Sequence, residues 1–390
     1  MICHVASNDN RFYAAIESAF GNAPAVKARD RLPAVRLRAQ QNVERVARRD
    51  KIGGRSFPGL PSGIRRYTTF ELETYLTGWE GQPEEPGYGA LFHAALGNAP
   101  VYSDGGVAGE GSDGRTLKFS RPHALAVHQA VVFGGEIRFV SAVVDEQSVI
   151  LNAPFSRTPT SGEAFGKTLT YYPGEDLPSV TIFDYWTPAE TVQRIICGAA
   201  VNTMRIRING DLHGFSFSGQ AQDIVDSASF VQGQAGLAGF PEEPVTEAFN
   251  YSVVPGNLGQ AWLGNTPDRF YTIVTAEVVL NNNVQLRSRE FGSELAKCIA
   301  AGMRSVTTDF SLYALGDSAT KELYQAARQQ SPVEVMFQLG EQQGQLCGVY
   351  LRNVKLEPPD FDDSEIRLQW RFRGCRAQGQ FGDEMVVAFG

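Results

Sequence analysis

The chain has 390 residues, of which 43% are hydrophobic and 20% are charged, and its formal net charge is −8. This composition is typical of an ordinary globular protein with two or three domains. No apolar run is long enough to span a membrane, and the first residues lack the basic region and apolar core of a secretion signal. Five cysteines without a Cys-x-x-Cys pair favour free thiols in a reducing compartment over a disulfide framework.

Charge is distributed unevenly along the chain. Residues 1–66 contain 13 Lys and Arg against 5 Asp and Glu, whereas the remainder contains 22 against 38. A basic first segment and an acidic remainder would complement each other between stacked copies. A nucleic-acid-binding arm is the alternative, but few aromatic residues are interleaved and the basic residues do not form a continuous run. The basic residues concerned are Arg45, Arg48, Arg49, Lys51, Arg55, Arg65 and Arg66.

A long β-hairpin is the first predicted element after an N-terminal arm of residues 1–32. Leu37 and Ala39 share one face of its first strand, and Phe70 lies on the apolar face of the return strand. Alternation of apolar and polar residues is typical of strands with one buried face and one wet face. The loop between the strands, about residues 49–62, is long for a hairpin and rich in Gly, Pro and Arg. Long loops on a strand scaffold usually meet a partner.

A short amphipathic helix is predicted next, followed by an insertion over residues 98–178. The insertion begins in a Gly-rich loop and contains strand patterns at 117–119 and 137–144. Residues 109–114 fit the G-x-G-x-x-G string of dinucleotide-binding sites, but that site requires a strand before the string and a helix after it. Because a strand pattern follows, we predict a flexible loop and no cofactor.

Further strands are predicted at 180–185, 203–208 and 214–218, before a Gly-, Pro-, Gln- and Ala-rich linker over residues 223–268. A second hairpin follows the linker, with a loop at about 288–301 that includes a candidate helical turn. A second helix, which Asp317 or Ser318 can cap, comes next. The last predicted strands are 333–339, 348–356, 365–372 and 384–389.

The second group of elements repeats the first in the same order. Asn42-Val43-Glu44 recurs as Asn283-Val284-Gln285, and residues 63–72, 91–95, 197–206 and 215–219 recur as 302–312, 323–327, 347–356 and 370–374. Chance similarity among β-rich segments is the alternative, but five blocks in one order favour duplication. We therefore predict one domain from residues 33–97 and 179–222 and its copy from residues 269–390. The two copies differ mainly in the insertion, because Leu91 and Cys197 are 106 positions apart, whereas Leu323 and Cys347 are only 24 positions apart.

No motif in the chain predicts catalysis. The sequence has no P-loop, no H-E-x-x-H and no G-x-S-x-G string. The histidines are scattered, and His123 and His128 lack a third metal ligand. The acidic residues Asp360, Asp362, Asp363 and Glu365 lack the spacing of a calcium loop, so we predict a solvated turn. The residues thus predict that the protein is not an enzyme, and they nominate no catalytic, cofactor-binding or metal-binding residue.

Four features resemble the tail tube proteins of long-tailed bacteriophages. They are the long early hairpin with its Gly-rich loop, the run from Tyr185 through residues 198–202 to 215–219, the strand at 281–284 ahead of residues 302–307, and the ending at 382–390. The resemblance covers both repeats, whereas residues 1–30 and the insertion have no recognised counterpart. It implies a mainly β (α+β) fold with two tandem antiparallel β-barrel or sandwich domains, each with a long hairpin and a flanking helix, plus a β-rich insertion in the first.

The resemblance also implies a function. Hairpins of neighbouring copies would join into a ring, and rings would stack into a hollow tube through which double-stranded DNA passes without specific binding. Since each chain would supply two tube domains, a ring would contain three chains with pseudo-sixfold symmetry. The acidic remainder of the chain would suit a bore along which DNA slides, and the insertion would lie on the outer surface.

The expected contacts, partners and location follow from this resemblance. The chain would bind itself and the tape-measure, tail terminator and baseplate proteins, without membrane insertion. It would be a virion protein assembled in the bacterial cytoplasm. Contacts between subunits or rings are expected on the two long loops, at Arg48, Arg49, Lys51, Arg55, Phe57, Arg65, Arg66, Arg287, Arg289, Glu290, Phe291 and Glu294.

Two alternatives remain at this point. The first is a ring-forming baseplate, distal tail or neck connector protein, which would use a similar fold without polymerising along its axis. The second is a carbohydrate-binding β-protein or an enzyme of unknown chemistry, for which convergent polar residues in a pocket would be needed.

Overall fold

The computed structural model describes residues 4–44, 50–57, 59, 63–79, 85–245, 252–380 and 382–390. These residues form 26 strands, two α-helices and two short 3-10 turns, so the predicted mainly β class is confirmed. In this described part, no helix has the length and apolar character needed to cross a membrane.

The elements fall into three groups along the chain. Those before residue 98 are β1 (Asn10–Ile16), a 3-10 turn (Ala28–Asp30), β2 (Ala34–Val43), β3 (Arg66–Tyr75) and α1 (Gly89–Leu96). Those of the predicted insertion are β4 (Val101–Ser103), β5 (Gly106–Val107), β6 (Thr116–Lys118), β7 (Ala130–Phe133), β8 (Glu136–Asp145), β9 (Ser148–Leu151), β10 (Ala164–Phe165) and β11 (Thr168–Tyr171). The others are β12 (Val180–Trp186), β13 (Arg194–Ile208), β14 (Gly214–Ala221), β15 (Asp223–Asp226), a 3-10 turn (Gln234–Gly236), β16 (Gly259–Gly264), β17 (Asp268–Arg269), β18 (Ile273–Asn281), β19 (Gln285–Leu286), β20 (Ile299–Ala300), β21 (Ser305–Tyr313), α2 (Ser318–Gln329), β22 (Val333–Leu339), β23 (Cys347–Lys355), β24 (Asp360–Asp362), β25 (Gln369–Ala377) and β26 (Val386–Phe389).

Eight strands form one continuous antiparallel sheet, called the main sheet below. Their order across the sheet is β2–β3–β14–β13–β18–β21–β25–β24. The first four strands belong to the first predicted copy and the last four to the second. Strands β13 and β18 join the two halves, with Thr203 opposite Asn281 and Ile208 opposite Ala276. Both predicted hairpins are present in this sheet, as β2–β3 and β18–β21.

A second layer of strands lies behind the main sheet in each half. In the first half it is β1–β12–β13–β15, and in the second half it is β16–β22–β23–β26. Strands β13 and β23 belong to both layers, because their first residues pair in the second layer and their last residues pair in the main sheet. The two halves therefore have the same pairing pattern, including β1, which lies within the predicted N-terminal arm.

One apolar core lies between the layers and contains side chains from both halves. The alternation in the hairpins explains it: Phe70 and Leu72 of β3 are buried there, and Leu280 of β18 joins the same cluster. Helix α1 is almost wholly buried in this core, where the ring of Phe92 is surrounded by aromatic residues. Helix α2 is half exposed and begins after Asp317, whose side chain accepts a hydrogen bond from the amide of Thr320 at 2.8 Å.

The insertion covers the outward face of the second layer in the second half. Val349 of β23 faces the core, whereas the next residue, Tyr350, stacks on Phe139 of the insertion with 5.3 Å between ring centroids. Such strands are buried on both faces, so their sequence is continuously apolar. Strands β6–β9–β8–β7 form a separate sheet with its own apolar cluster. Strands β4 and β11 instead extend the second layer beside β26.

The segment predicted as a linker is structured at both of its ends. Strand β15 pairs with β13, and β16 pairs with β22, so residues 223–226 and 259–264 are parts of the second layer. Between them, Leu237 and Phe240 pack on the outward face of the first half. The carboxylate of Glu243 accepts a hydrogen bond from the hydroxyl of Tyr13 at 2.8 Å. Residues 246–251 lie outside the described part.

Three local predictions differ from the structure. The candidate helical turn in the second hairpin loop is absent from its described residues, where β19 and β20 pair instead. The strand predicted at 365–372 is shifted to β25 (Gln369–Ala377), because Asp362 accepts a hydrogen bond from the amide of Ser364 and forms a turn there. Asp360 and Asp362 lie in an edge strand, because they pair with β25, whereas Asp363 and Glu365 lie in the exposed turn that follows, as predicted.

Candidate assembly surfaces

The wet face of the main sheet carries a series of ion pairs between neighbouring strands. In the first hairpin, Arg36 lies 2.6 Å from Glu73. At the junction of the halves, Glu277 of β18 contacts both Arg205 (3.2 Å) and Arg207 (3.6 Å) of β13. The remaining pairs on this face are Arg38–Glu71, Arg371–Asp362 and Arg373–Asp360.

This pairing changes the interpretation of the uneven charge along the chain. The excess of acidic residues after residue 66 is not concentrated on the wet face, because arginines and carboxylates alternate across its strands. Exposed pairs of this kind add little to folding stability. Their effect is that few charges on this surface lack an opposite charge nearby.

The two long hairpin loops contact each other within one chain. Arg66, at the end of the first loop, binds Asp223 at 3.1 Å and Glu294 of the second loop at 3.2 Å. The hydrogen bond with Asp223 raises the pKa of Arg66. Arg65 donates to the carbonyl of Glu290 at 3.4 Å. The loops thus add a polar contact to the strand junction of the two halves.

The residues predicted to contact other subunits fall into three groups: those bonded within the chain, those exposed on the loops, and those outside the described part. Arg65, Arg66, Arg287, Arg289, Glu290 and Glu294 all take part in hydrogen bonds or ion pairs inside the chain. Lys51, Arg55, Phe57 and Phe291 are exposed on the loops. Arg48 and Arg49 lie outside the described residues. Sequence reasoning missed the partner Asp223, because a single acidic residue in a strand carries no pattern that points to a loop 157 positions away.

The main sheet ends in two strands that are paired on one side only among the described residues. Strand β2 is hydrogen-bonded to β3, and β24 is hydrogen-bonded to β25. Such edges expose backbone donors and acceptors that can pair with another chain. Each edge also exposes a large apolar side chain, Val43 on β2 at 49% and Phe361 on β24 at 57%. A hydrogen bond from Ser364 lowers the pKa of the adjacent Asp362.

A pocket beside the main sheet is a further candidate site. It has a volume of about 330 Å³ and is bordered by His213, Asn209 and Arg269, with no carboxylate, serine or cysteine among its described lining residues. His213 is buried and its Nε2 donates to the carbonyl of Leu258 at 2.8 Å. Burial lowers the pKa of His213, so the ring is neutral at pH 7. The arrangement supplies no acid–base pair and no nucleophile for catalysis.

Metal-binding and redox chemistry find little support in the described residues. They contain no group of three His, Cys, Asp or Glu side chains that could hold a metal ion. Cys197, Cys298, Cys347 and Cys375 are free thiols. Burial raises the pKa of Cys197 to about 12, so this thiol is protonated and unreactive at neutral pH.

Comparison with known proteins agrees with the resemblance found in the sequence. A family model described as phage tail tube protein matches residues 7–365, which is nearly the whole chain. Comparison with individually curated proteins gives no match.

Proposed function

The chain belongs to the phage tail tube protein family, and from that premise we propose that its copies close into rings that stack into a hollow tube for DNA. A ring would contain three chains with pseudo-sixfold symmetry, because each chain supplies two halves with the same strand pairing. The observation that carries the proposal is the β13–β18 junction, where the two halves are joined edge to edge within one sheet. A ring repeats this kind of junction between chains.

Electron microscopy of the purified protein tests this proposal. We expect stacked rings with threefold symmetry in cross-section, and native mass spectrometry of single rings is expected to give three chains. Rings of six separate chains would contradict the trimer, and a monodisperse monomer at assembly concentrations would contradict ring formation. Discrete rings that never form tubes would favour the alternative of a baseplate, distal tail or neck connector protein.

The wet face of the main sheet is proposed to line the bore. The core and the second layer lie on one side of this sheet, and the insertion lies beyond the second layer. If the main sheet faces the bore, the insertion is therefore placed on the outside, where its mass does not obstruct DNA. The paired charges of the wet face suit this role, because unpaired cations would hold phosphates.

We predict that Glu277→Gln makes assembled tubes retain DNA. The substitution leaves Arg205 and Arg207 without their shared carboxylate. Each arginine that then reaches a phosphate adds about 0.9 to the slope of log affinity against log salt concentration. Binding of a labelled duplex to tubes, measured over a range of salt concentrations, checks this. Glu322→Gln, on the exposed side of α2, is the matched control and is expected to bind as the unmodified tube does. Equal affinities for both variants would contradict a bore-facing position of Glu277.

The other proposed interactions follow from the family. A tube subunit would meet the tape-measure protein inside the tube, the tail terminator at one end and the baseplate at the other. We infer that the protein is a virion component assembled in the host cytoplasm, with double-stranded DNA as a passing cargo. The domain boundaries are proposed as predicted, with the qualification that β1 lies in the segment assigned to the arm and that β15 and β16 lie in the segment assigned to the linker.

A further inference from the structure

We propose that the pocket beside the main sheet binds a small acidic saccharide, which is a sugar ring that carries both a carboxylate and hydroxyl groups. The inference goes beyond the proposed tube and does not depend on ring formation. It rests on the polar groups that line the pocket, on the partners that those groups lack among the described residues, and on the apolar surface beside them. Such a combination of apolar lining and a few convergent polar groups is typical of small-molecule sites.

The pocket has fixed walls at one end of the main-sheet strands. Its lining includes the turn after β13 and the segment before β16, and these two segments touch. A Cβ atom at Gly256 would lie 2.2 Å from the carbonyl oxygen of Gly210, so glycine is needed for this approach. A β-bridge between Leu212 and Pro255 joins the same two segments. A site with fixed walls loses little conformational entropy when a ligand binds.

His213 supplies a hydrogen-bond acceptor for which no described residue is the donor. The residue is 1% exposed, and its Nε2 donates to the carbonyl of Leu258. The other ring nitrogen, Nδ1, therefore carries a lone pair, and it is buried without a partner among the described residues. A buried acceptor without a donor costs free energy. A hydroxyl group of a ligand in the pocket would satisfy it.

Arg269 supplies a positive charge to the same pocket. It is the one charged side chain among the described lining residues, so no lining carboxylate balances it. Its guanidinium lies over the ring of Tyr271, 4.6 Å from the ring centroid. This contact orients the guanidinium and leaves its charge in place. A ligand carboxylate would balance that charge, because a guanidinium can bind a carboxylate through two parallel hydrogen bonds.

Apolar side chains form much of the remaining surface. Phe270, Phe337 and Ile208 are buried in the lining, and Tyr271 is 78% exposed. A sugar ring fits such a surface, because its C–H faces can pack on apolar side chains while its hydroxyls remain free to form hydrogen bonds. The volume of about 330 Å³ is near the lower end of the range for ligand sites, about 300–1,000 Å³. The pocket is therefore sized for a single ring.

The same lining argues against other small ligands. An amino acid would bring an ammonium group beside Arg269, and no lining carboxylate is present among the described residues to receive it. Acetate would meet the guanidinium but has no donor for Nδ1 of His213. Glucose has the donors but carries no charge for Arg269. An acidic sugar provides both groups, so it satisfies the two lining residues together.

Calorimetric titration of the purified chain tests the class of ligand. D-Glucuronate is the probe, and D-glucose and acetate each carry one part of its chemistry. We expect glucuronate to bind at least about tenfold more tightly than either of them. Absence of glucuronate binding up to about 10 mM, or equal affinities for glucuronate and acetate, would overturn the proposal.

The size of the site is tested with galacturonate and its dimer, digalacturonate. We expect the single sugar to bind at least as tightly as the dimer, because the pocket is sized for one ring. A dimer that binds more than about tenfold more tightly would overturn the single-ring site and would indicate the end of an acidic polysaccharide.

A substitution of Arg269 tests the position of the bound carboxylate. Arg269→Gln is expected to weaken glucuronate binding at least about tenfold and to leave glucose binding unchanged, because the charge is lost while the acceptor of His213 remains. Arg367→Gln is the matched control, since Arg367 also lies over a tyrosine ring, that of Tyr313 at 3.8 Å, but does not line the pocket. Equal affinities of the two variants for glucuronate would overturn the assignment to this pocket.

His213→Gln tests the acceptor. A glutamine amide nitrogen can keep the hydrogen bond to Leu258, but the side chain has no counterpart of Nδ1. We expect at least about fivefold weaker binding of both glucuronate and glucose, with a midpoint of thermal unfolding within about 3 °C of the unmodified chain. Unchanged affinity of the folded variant would overturn the proposal. If this variant does not fold, the Arg269→Gln and Arg367→Gln pair decides the question.

The outcomes separate this inference from the proposed function. Rings or tubes that do not bind glucuronate would overturn the saccharide site and leave the tube function standing. Binding of glucuronate by a chain that forms no rings would support the site and contradict the tube.

Discussion

Replacing Arg138 by Ala is expected to lower the free energy of unfolding by about 3–5 kcal/mol. The Arg138 side chain is fully buried between the insertion and the second half. Its guanidinium donates to Gln260 at 2.8 Å and to Gln338 at 3.0 Å, both from the second half. It also lies 3.3 Å from the carboxylate of Glu136 and over the ring of Trp262.

The size of this effect comes from what the substitution leaves behind. Burial lowers the pKa of Arg138 to about 10, and the Glu136 carboxylate partly offsets that shift, so the charge is retained at neutral pH. Without the guanidinium, Glu136 is a buried carboxylate with no cation beside it, and Gln260 and Gln338 lose their donors. We therefore expect the insertion to detach from the second half before the rest of the chain unfolds.

Urea denaturation followed by tryptophan fluorescence measures this effect, since Trp262 lies in the same contact. Arg157→Ala is the matched control, because Arg157 lies in the insertion but its side chain is 60% exposed, and a change below about 0.5 kcal/mol is expected. Arg138→Lys should fall between the two, because it keeps the charge but cannot reach all the acceptors. Similar stabilities for Arg138→Ala and Arg157→Ala would refute the proposed role of the buried network.

Replacing Phe92 by Ala is expected to cost about 3–5 kcal/mol of folding stability. The ring of Phe92 on α1 lies 5.0 Å from that of Phe215, 5.2 Å from that of Phe217 and 5.3 Å from that of Phe389. Tyr88 and Tyr171 complete the cluster. These rings come from the first half, from the insertion strand β11 and from the last strand of the second half, so a cavity here weakens contacts across the whole core.

Thermal and chemical unfolding of the single chain measure the Phe92 effect. Phe92→Leu, which keeps most of the apolar volume, is expected to lose less than half as much stability as Phe92→Ala. Phe291→Ala is the control at a position that is 102% exposed and is expected to change stability by less than about 0.5 kcal/mol. A small loss for Phe92→Ala would mean that the surrounding rings close the cavity, and that the core is less rigid than its packing indicates.

Local patterns in the sequence predicted much of the fold. Alternation of apolar and polar residues predicted both hairpins and the buried faces of β3 and β21, because side chains on successive strand residues point to opposite faces. Asp317 was predicted as one of two candidate caps of α2, and the structure selects it. The family was also accessible from the sequence, because the patterns that resemble phage tail tube proteins lie in both halves and the family model matches residues 7–365.

Structural features that depend on contacts between distant segments could not be predicted from the sequence in this way. The prediction of a linker over residues 223–268 did not anticipate β15 and β16, because these short strands are defined by their partners, β13 and β22. Ion pairs such as Arg66–Asp223 join residues with no sequence relationship. The assignment of contact residues to the loops did not anticipate that half of them would be used inside the chain.

The sequence by itself determined the β class, the repeated order of elements and the family, because these depend on periodicity and block order along one chain. Only the tertiary structure decided that β13 meets β18, that the insertion docks on the second half, and that Val43 and Phe361 remain exposed at the two ends of the main sheet. Strand neighbours and exposed edges arise from contacts between residues far apart in sequence, and such contacts leave no periodic trace in either segment alone.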